Sequence, residues 1–364
     1  MKILVLAPYP LHEAPSQRFR FELFLKFMEQ NNVSWDFQSF LLADEWKILY
    51  KTGGIAGKVK SVLRGFLRRT SKLSQLGRYQ FILIHRELTP FGPPIFEWII
   101  AKVFRKKIIY DFDDAIWMPD QNRENPIWRW LKWRSKVKSI CKWSWKVSTG
   151  NEYLANYARQ YNDQVVVLPT VVDTKIHQPP NAKGQKPKAI PKAFGSQKPT
   201  IGWTGSHSTL FYLDEITPIL QDLEKEMDFE FLVIANKNPE LPLKNFRFIP
   251  WNKTTEIEDL CQMNIGIMPL EDTEWSKGKC GFKLIQYLAL GIPAVASPVG
   301  VNSDIVQEGV TGFLTNSPEE WKIHLKKLLE DKTLRNKLGY NGRKLIDVNF
   351  SVESQKEKFL ELFH

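Results

Sequence analysis

Short apolar runs alternate along the chain with longer segments in which apolar residues recur every three to four positions. The first run lies between Met1 and Tyr9, and a polar loop separates it from a helical pattern through Phe21, Leu25 and Met28. A run of this kind is typical of a buried strand, and the wider spacing is typical of an amphipathic helix. Further runs occur at 81–84, 107–111, 147–149 and 165–168. The alternation predicts a doubly wound parallel α/β domain.

A change of character between Asp173 and Thr200 divides the chain. Lys, Pro and Gln dominate this segment, and neither period continues through it, as is typical of a linker. A second alternation follows, with apolar runs at 200–203, 229–235, 246–249, 265–268 and 293–297. We therefore predict two Rossmann-like domains and a terminal helix. The predicted boundaries are 1–173 for the N-terminal domain, 174–199 for the linker, 200–345 for the C-terminal domain and 346–364 for the helix.

Composition restricts the class of partner and the compartment. The chain has 364 residues, a net charge of +11 and a pI of about 9.3, so nucleic acid, anionic lipid or a phosphorylated substrate would suit it. Cys141, Cys261 and Cys280 lie far apart and lack metal-ligand spacing, which predicts reduced thiols. No apolar run reaches the roughly 18 residues of a membrane span, and the N-terminal run is too short for a signal peptide. We expect a cytoplasmic protein.

Basic and glycine-rich residues precede one predicted helix of the second domain. Gly278, Gly281 and three lysines, Lys277, Lys279 and Lys283, lead into an apolar helical pattern that ends before Pro293. Free N–H groups and the positive end of a helix dipole attract anions, and lysines add charge. The segment suits a diphosphate. Other loops that follow predicted strands carry Arg18, Arg86, the three aspartates Asp111, Asp113 and Asp114, and Gly205-Ser206, where ligands of parallel sheets bind.

Five segments together resemble the metal-independent, retaining GT-B glycosyltransferases, and more narrowly a bacterial branch of the large family 4, or group 1. They are FKLIQYLALGIPAVASPVGVNSDIVQEGVTGFL (282–314), IGWTGSHST (201–209), IIYDFDDAIW (108–117), STGNEYLANYA (148–158) and LPTVVDT (168–174). The resemblance covers nearly the whole chain.

The resemblance implies a GT-B fold in which two Rossmann-like domains face each other across a cleft. It implies that the C-terminal domain holds a nucleoside diphosphate sugar and that the N-terminal domain holds a glycan or lipid-linked acceptor, with no metal and no cofactor. The implied donor-binding residues are Gly205, Ser206, Lys279, Gly281, Phe282, Lys283 and Gln286. The implied acceptor-binding residues are Arg18, Arg86 and Asn151, and the implied catalytic residues are Asp111, Asp113 and Asp114.

The chain departs from the family at its paired glutamates. These positions fall on Gly278 and Gln286. A glutamine can still hydrogen-bond a ribose hydroxyl, whereas glycine cannot replace a carboxylate. Sugar contacts would then come from elsewhere, such as Glu271, Asp272 or Glu274. The departure leaves open a catalytically weakened relative that only binds nucleotide or glycan.

The aspartate cluster has several interpretations. Crowded carboxylates repel one another and commonly raise one pKa, so one of them can serve as a base or stabilise an oxocarbenium-like centre. Alternatively, one caps a helix and another pairs with Arg86 or Arg123. The D-x-D spacing is also that of metal-binding GT-A enzymes, which would leave the 277–314 segment unexplained.

Two segments combine cations with large apolar residues and contain no acid. Residues 126–150 interleave five tryptophans with basic residues, and residues 58–76 place Val59, Val62, Leu63, Phe66 and Leu67 on one helical face. Such elements are typical of peripheral binding to an anionic membrane, here the inner face of the cell membrane. The alternatives are that the tryptophans are core residues, or that they stack on nucleic acid bases. We expect no nucleic acid, because no known nucleic-acid-binding fold accompanies them.

Overall fold

The computed structural model describes residues 1–49, 54–119, 130–178 and 198–364, which form two compact units. The N-terminal unit consists of Met1–Thr170, Gly278–Cys280 and Gln355–His364, and the C-terminal unit consists of Val171–Lys277 and Gly281–Ser354. The predicted linker lies mostly in 179–197, outside the described residues.

The N-terminal unit is built on one sheet of six parallel strands in the order β2-β1-β3-β4-β5-β6. The strands are β1 Lys2–Ala7, β2 Ser34–Ser39, β3 Phe81–His85, β4 Lys107–Phe112, β5 Lys146–Thr149 and β6 Val165–Val167. The five predicted apolar runs are confirmed as strands. Only β2 escaped the prediction, because its sequence SWDFQS carries polar residues and most of the strand is exposed or half-buried at the sheet edge.

Helices and short helical turns connect these strands. The α-helices are α1 Pro15–Arg18, α2 Leu25–Gln30, α3 Ala43–Leu49, α4 Ile55–Leu73, α5 Ile95–Trp98, α6 Lys136–Trp143 and α7 Glu152–Arg159. The 3-10 turns are Glu22–Phe24 and Leu76–Arg78, and Ile99–Val103 is π-helical. The predicted helix over 58–76 is confirmed as α4.

The C-terminal unit contains a second sheet of six parallel strands in the order β12-β11-β10-β7-β8-β9. The strands are β7 Thr200–Gly205, β8 Glu230–Ala235, β9 Phe246–Pro250, β10 Ile265–Met268, β11 Ala294–Ala296 and β12 Gly312–Leu314. In chain order within the unit this is 6-5-4-1-2-3, the Rossmann order, whose direction switches between β7 and β10. The five predicted runs are again strands, and only the three-residue β12 was missed.

The helices of this unit surround a core that includes Trp203, Phe229 and Phe231. After a 3-10 turn at His207–Tyr212, the helices are α8 Leu213–Leu223, α9 Glu256–Leu260, α10 Glu274–Lys277, α11 Phe282–Ala289, α12 Asn302–Ile305, α13 Pro318–Glu330 and α14 Lys332–Asn349. No helix in the described ranges is both long and apolar enough to cross a membrane.

The chain terminus differs from the predicted single helix over 346–364. After α14 ends at Asn349, a separate helix α15 spans Val352–Leu360 and a 3-10 turn spans Glu361–Phe363. From Gln355 onward these residues belong to the N-terminal unit. Their aromatic side chains explain why: the ring of Phe359 stacks on that of Phe24 with centroids 4.4 Å apart, and Phe363 packs edge-on against Phe81.

Candidate functional site

A buried network joins three chain segments at the carboxyl ends of β3 and β4. The guanidinium of Arg20 forms an ion pair with Asp111, and the His85 ring Nδ1 lies 2.8 Å from the second Asp111 carboxylate oxygen. Arg20 also donates to the Ser148 hydroxyl over 3.2 Å and to the Leu168 carbonyl. The side chains of Arg20, His85 and Asp111 are at most 5% exposed. The network fixes the geometry of the strand ends.

The pKa of Asp111 reflects these partners. Burial alone would raise it, but the charge of Arg20 and the hydrogen bond with His85 outweigh burial and hold the pKa well below its usual range. Asp111 is therefore not the aspartate whose pKa crowding would raise. It is ionised and buried, which suits a positioning residue better than the predicted catalytic role. Sequence reasoning missed the network, since Arg20 and Asp111 are 91 positions apart.

The other two aspartates of the cluster remain partly exposed. Arg86, in the loop after β3, donates from Nε to the Asp113 carboxylate over 2.8 Å and lies 3.7 Å from Asp114. The pairing with Arg86 considered for this cluster is thus present, whereas Arg123 lies outside the described residues. Arg86 adopts a left-handed backbone with φ of 60°, which is unusual for a non-glycine residue. In this conformation the Arg86 guanidinium reaches both aspartates.

The tripeptide Gly278–Cys280 brings its own groups to this cluster. The Lys279 ammonium lies 3.2 Å from Asp114, and the Cys280 thiol donates to the Asp113 carbonyl over 3.1 Å. Burial raises the pKa of Cys280, with a smaller contribution from Asp113, so the thiol stays protonated. Cys280 is free and buried, and all three cysteines are free of disulfides, as the sequence predicts.

Asn151 is engaged on both sides of its amide. Its oxygen caps α7 by accepting from the Leu154 N–H over 2.9 Å, and its nitrogen donates to the Lys279 carbonyl over 2.9 Å. The neighbouring Gly150 passes so close to Cys280 that a side chain at position 150 would collide with the Cys280 sulfur. A glycine is therefore required here. Together these contacts hold the tripeptide against the loops after β4 and β5.

In the C-terminal unit, the direction of the sheet switches between β7 and β10, and the predicted donor residues follow these strands. Gly205 ends β7, and the exposed Ser206 begins a 3-10 turn in which its side chain and that of Thr209 cap each other's backbone. The His207 N–H donates to the Asn236 side chain over 2.6 Å. Ligands of sheets with this strand order bind beyond the carboxyl ends at the switch.

The glycine-to-helix transition predicted after β10 is present. Gly281 precedes α11 with φ of 64°, and a side chain there would also meet Ile305. No side chain caps this helix start, and Phe282 and Lys283 form its first turn. The Lys283 ammonium lies 5.0 Å from the centre of the buried Trp203 ring. The Tyr287 hydroxyl accepts from the Thr204 N–H over 3.0 Å, which ties α11 to β7.

Gln286 is buried within the C-terminal unit. It is 2% exposed, and its amide nitrogen donates over 3.4 Å to Glu256, an acid that also accepts from the Trp251 indole N–H. This burial argues against the expected ribose contact, which stays a prediction. Of the alternative sugar-binding acids, Glu274 and Asp272 pair with Lys277 at 2.8 Å and 3.5 Å, and Glu271 is exposed.

Arg18 and the acid-free, tryptophan-rich segment lie at least partly at the surface. Arg18 ends α1 and is half-buried, with its guanidinium 4.8 Å from the Phe19 ring. Residues 126–129 of the basic tryptophan-rich segment lie outside the described residues. The remaining tryptophans of that segment, Trp130, Trp133, Trp143 and Trp145, are exposed or half-buried, which argues against core positions. Within the described ranges, no group of three or more His, Cys, Asp or Glu side chains could hold a metal.

Comparison with known proteins adds the family. Residues 237–345, which include β8 to α14, match the model of the glycosyl transferases group 1. This segment is therefore similar to the group 1 glycosyl transferases. An uncharacterized glycosyltransferase of Methanocaldococcus jannaschii is 24% identical to the chain over 217 residues. The alignment spans 54% of this chain and 58% of that relative, so the chain matches little more than half of the relative's length.

Solved structures extend the likeness in fold to the whole chain. The sucrose-phosphate synthase of Thermosynechococcus elongatus superimposes with a TM-score of 0.70 at 12% identity, covering 100% of this chain and 98% of that one. Alr3699/HepE of Anabaena, solved with UDP-glucose, gives a TM-score of 0.64 at 14% identity, covering 99% and 98%. The expected GT-B fold is confirmed.

Proposed function

We propose that this protein is a retaining glycosyltransferase that moves a sugar from a nucleoside diphosphate donor to a glycan or lipid-linked acceptor in cell-surface polysaccharide synthesis. The observation that carries the proposal is the uncapped start of α11, which follows β10 at the switch of the C-terminal sheet and lies within the group 1 segment. The UDP-glucose bound by the Anabaena protein of the same fold supports a nucleotide sugar as the donor.

The proposed donor site uses the start of α11, where the positive end of the helix dipole favours a bound anion. Phe282 and Lys283 form its first turn, and Gly281 allows the close approach of a diphosphate because it has no side chain. Gly205 and Ser206, which follow β7, complete the donor contacts. Lys279 and Lys283 neutralise the negative charge that develops on the departing diphosphate.

The proposed reaction breaks the bond between the sugar anomeric carbon and the donor phosphate oxygen. The acceptor hydroxyl oxygen forms the new bond to that carbon, and the nucleoside diphosphate leaves with the bonding electron pair. Asp113 or Asp114 takes the hydroxyl proton or stabilises the oxocarbenium-like centre. Arg86 and Asn151 contribute to the acceptor side, together with Arg18, and Asp111 positions the cluster through Arg20 and His85.

We further propose that the protein needs no metal or cofactor, resides in the cytoplasm and binds peripherally to the inner face of the cell membrane. The basic composition and the two acid-free segments support this location. Nucleic acid is not a proposed partner.

A binding protein without turnover is the second candidate. It is favoured by Gly278 and by the burial of Gln286 against Glu256, which leave two family carboxylate positions without an accessible acid. Both candidates retain the diphosphate contacts, so nucleotide binding does not distinguish them. Consumption of the donor does.

The test begins with thermal shifts across UDP, GDP, ADP and CMP and continues with the sugar nucleotides of the base that binds. We expect stabilisation by one diphosphate, followed by slow hydrolysis of its sugar donor, detected as released nucleoside diphosphate. The Asp113→Asn variant should lower hydrolysis at least about tenfold with little change in nucleotide affinity. Nucleotide binding without consumption of any donor would favour the binding protein.

A further inference from the structure

Helix α4 is anchored by polar contacts along its inner face. The buried Arg69 guanidinium donates to the carbonyls of Ala7, Gln38 and Leu88 over 2.7, 2.9 and 3.1 Å. Arg68 pairs with Glu45, which is itself nearly buried. Arg68 and Arg69, two cations of the predicted interfacial segment 58–76, therefore have structural roles. The inner face of the helix is thus held against the rest of the N-terminal unit.

The outer face of the same helix carries an unpartnered apolar stripe. Ile55, Val59, Leu63 and Leu67 are 78%, 53%, 59% and 68% exposed. Residues four positions apart lie on one face of a helix, so the stripe runs for about 18 Å at 1.5 Å per residue. Solitary exposed apolar residues are common, but a continuous row along a well-anchored helix marks an interaction surface.

Cations accompany this stripe along α4. Lys60 and Arg64 lie on α4 and are exposed, and no Asp or Glu occurs between Trp46 and Arg86. In contrast, Lys136 of the tryptophan-rich segment is 3% exposed and pairs with Glu87 at 2.6 Å, so it is not available to a partner. The exposed cations next to the apolar stripe are therefore those of α4.

A neighbouring apolar surface continues from α4. The ring of Phe66 on α4 lies 6.2 Å from that of Phe96 on α5, and α5 exposes Ile95. The loop before α5 is hydrogen-bonded to the chain next to Trp130, whose side chain is largely exposed. Amphipathic aromatic residues of this kind favour the boundary between headgroups and acyl chains.

We propose that the outer face of α4 is the surface through which this protein docks on an anionic lipid bilayer. The stripe of Val59, Leu63 and Leu67 enters the boundary between headgroups and acyl chains, and Lys60 and Arg64 contact lipid phosphates. A second copy of the chain is disfavoured as the occupant, because a two-fold pairing of this face would bring the same cations together. Nucleic acid would pair with the cations but would leave the leucines without a partner.

Cosedimentation with vesicles tests the surface. Wild-type protein should bind vesicles containing phosphatidylglycerol and should bind pure phosphatidylcholine much more weakly. The double variant Leu63→Ala/Leu67→Ala should lose affinity by about tenfold or more, because it removes apolar groups from the boundary. Lys60→Gln/Arg64→Gln should lose about twenty-five-fold, from roughly fivefold for each cation, and the loss should shrink at high salt.

Matched controls are available in the C-terminal unit. Ile323 and Val348 are 60% and 69% exposed, close to the two leucines, and Ile323→Ala/Val348→Ala should bind vesicles like the wild type. The control for Lys60→Gln/Arg64→Gln is Lys332→Gln/Lys337→Gln, which removes two exposed lysines of α14 and should also bind vesicles like the wild type. Because all substituted side chains are exposed, the melting temperature should be unchanged. Circular dichroism checks this for every variant.

Unchanged vesicle binding by both α4 variants would overturn the proposal. So would the absence of binding by the wild type to anionic vesicles, or loss of self-association in place of lipid binding when the leucines are changed, measured by light scattering. The measurement uses no donor or acceptor. An inactive protein that still docks through α4 would refute the proposed transferase reaction but not this inference. An active protein that never docks would refute this inference and the proposed membrane location but not the reaction.

Discussion

The ammonium group of Lys279 lies 3.2 Å from the carboxylate of Asp114, a residue 165 positions earlier in the chain. Both side chains are about one-fifth exposed, so the pair is reachable by a ligand. A donor diphosphate that binds Lys279, as we propose, would compete with Asp114 for the same charge. Asp114 would then restrain Lys279 until the donor arrives.

Asp114→Asn should therefore tighten nucleoside diphosphate binding while lowering turnover. A partly exposed ion pair contributes up to about 1 kcal/mol, which corresponds to roughly fivefold in the dissociation constant. Titration calorimetry with the preferred diphosphate measures the change. Asp163→Asn, at an exposed acid of the same unit, is the matched control. Equal or weaker nucleotide binding by Asp114→Asn would contradict the competition.

Asp111→Asn should destabilise the N-terminal unit. Removing the charge of Asp111 leaves Arg20 buried without its counter-ion, at a cost of about 3–5 kcal/mol. Urea unfolding measures this loss. Glu152→Gln, which breaks the exposed pair with Arg159, should cost much less. A loss as small as that of the control would mean that Arg20 finds other partners.

The same pair predicts acid sensitivity. The pKa of Asp111 is lower in the folded protein than its ordinary value of about 3.9, so its stabilising contribution is complete above that pH. The contribution is lost progressively as the pH falls toward the folded pKa. Thermal unfolding measured from pH 6 to pH 2.5 should therefore decline more steeply below about pH 4 in the wild type than in Asp111→Asn. Parallel curves would exclude this residue as the cause.

Restoring the family glutamate at position 286 should be harmful in this chain. Gln286→Glu would place a second carboxylate next to Glu256, where a donated hydrogen bond now spans 3.4 Å. Two buried carboxylates repel, and we expect a loss of about 2–3 kcal/mol on urea unfolding. The added change Glu256→Gln should recover most of it, with Glu256→Gln alone as the reference. No recovery in the double variant would argue against direct contact between the two residues.

Gly150→Ala should disturb the tripeptide Gly278–Cys280. The new methyl group would collide with the Cys280 sulfur, and its nearest other neighbours, at 3.4 Å and beyond, leave it room. We expect a lower melting temperature and weaker donor binding. Cys280→Ala removes the sulfur, so Gly150→Ala/Cys280→Ala should regain both properties relative to Gly150→Ala. If Cys280→Ala does not rescue the variant, the tight contact lies elsewhere.

Most of the architecture was predictable because buried parallel strands are written as continuous apolar runs. Ile82 to Ile84 and Val233 to Ile234 are such runs, and each is a strand. The edge strand β2 and the three-residue β12 were missed because one is polar and half-buried and the other is too short to show a period. An apolar pattern in the sequence indicates how deeply a segment is buried. The strands β2 and β12 form instead because they pair with β1 and β11.

The candidate site was predictable in its position but less so in its contacts. Loops after strands pointed to Asp113 and Arg86, which do meet, and the helix start at Gly281 was visible in the sequence. Nothing local distinguishes Arg18 from Arg20, yet only Arg20 is buried in the ion pair with Asp111. Likewise, the exchange of a family glutamate for Gln286 has its partner, Glu256, thirty positions away.

Arg69 fastens α4 to the last residue of β1 and to the loop after β3, the loop that contains Arg86. The outer face of this helix and the strand ends are therefore joined by direct hydrogen bonds of one buried guanidinium. Docking through the surface that we propose on α4 would take place two residues in sequence from Arg86, at the Leu88 carbonyl that Arg69 binds, and so close to the loop whose arginine holds Asp113.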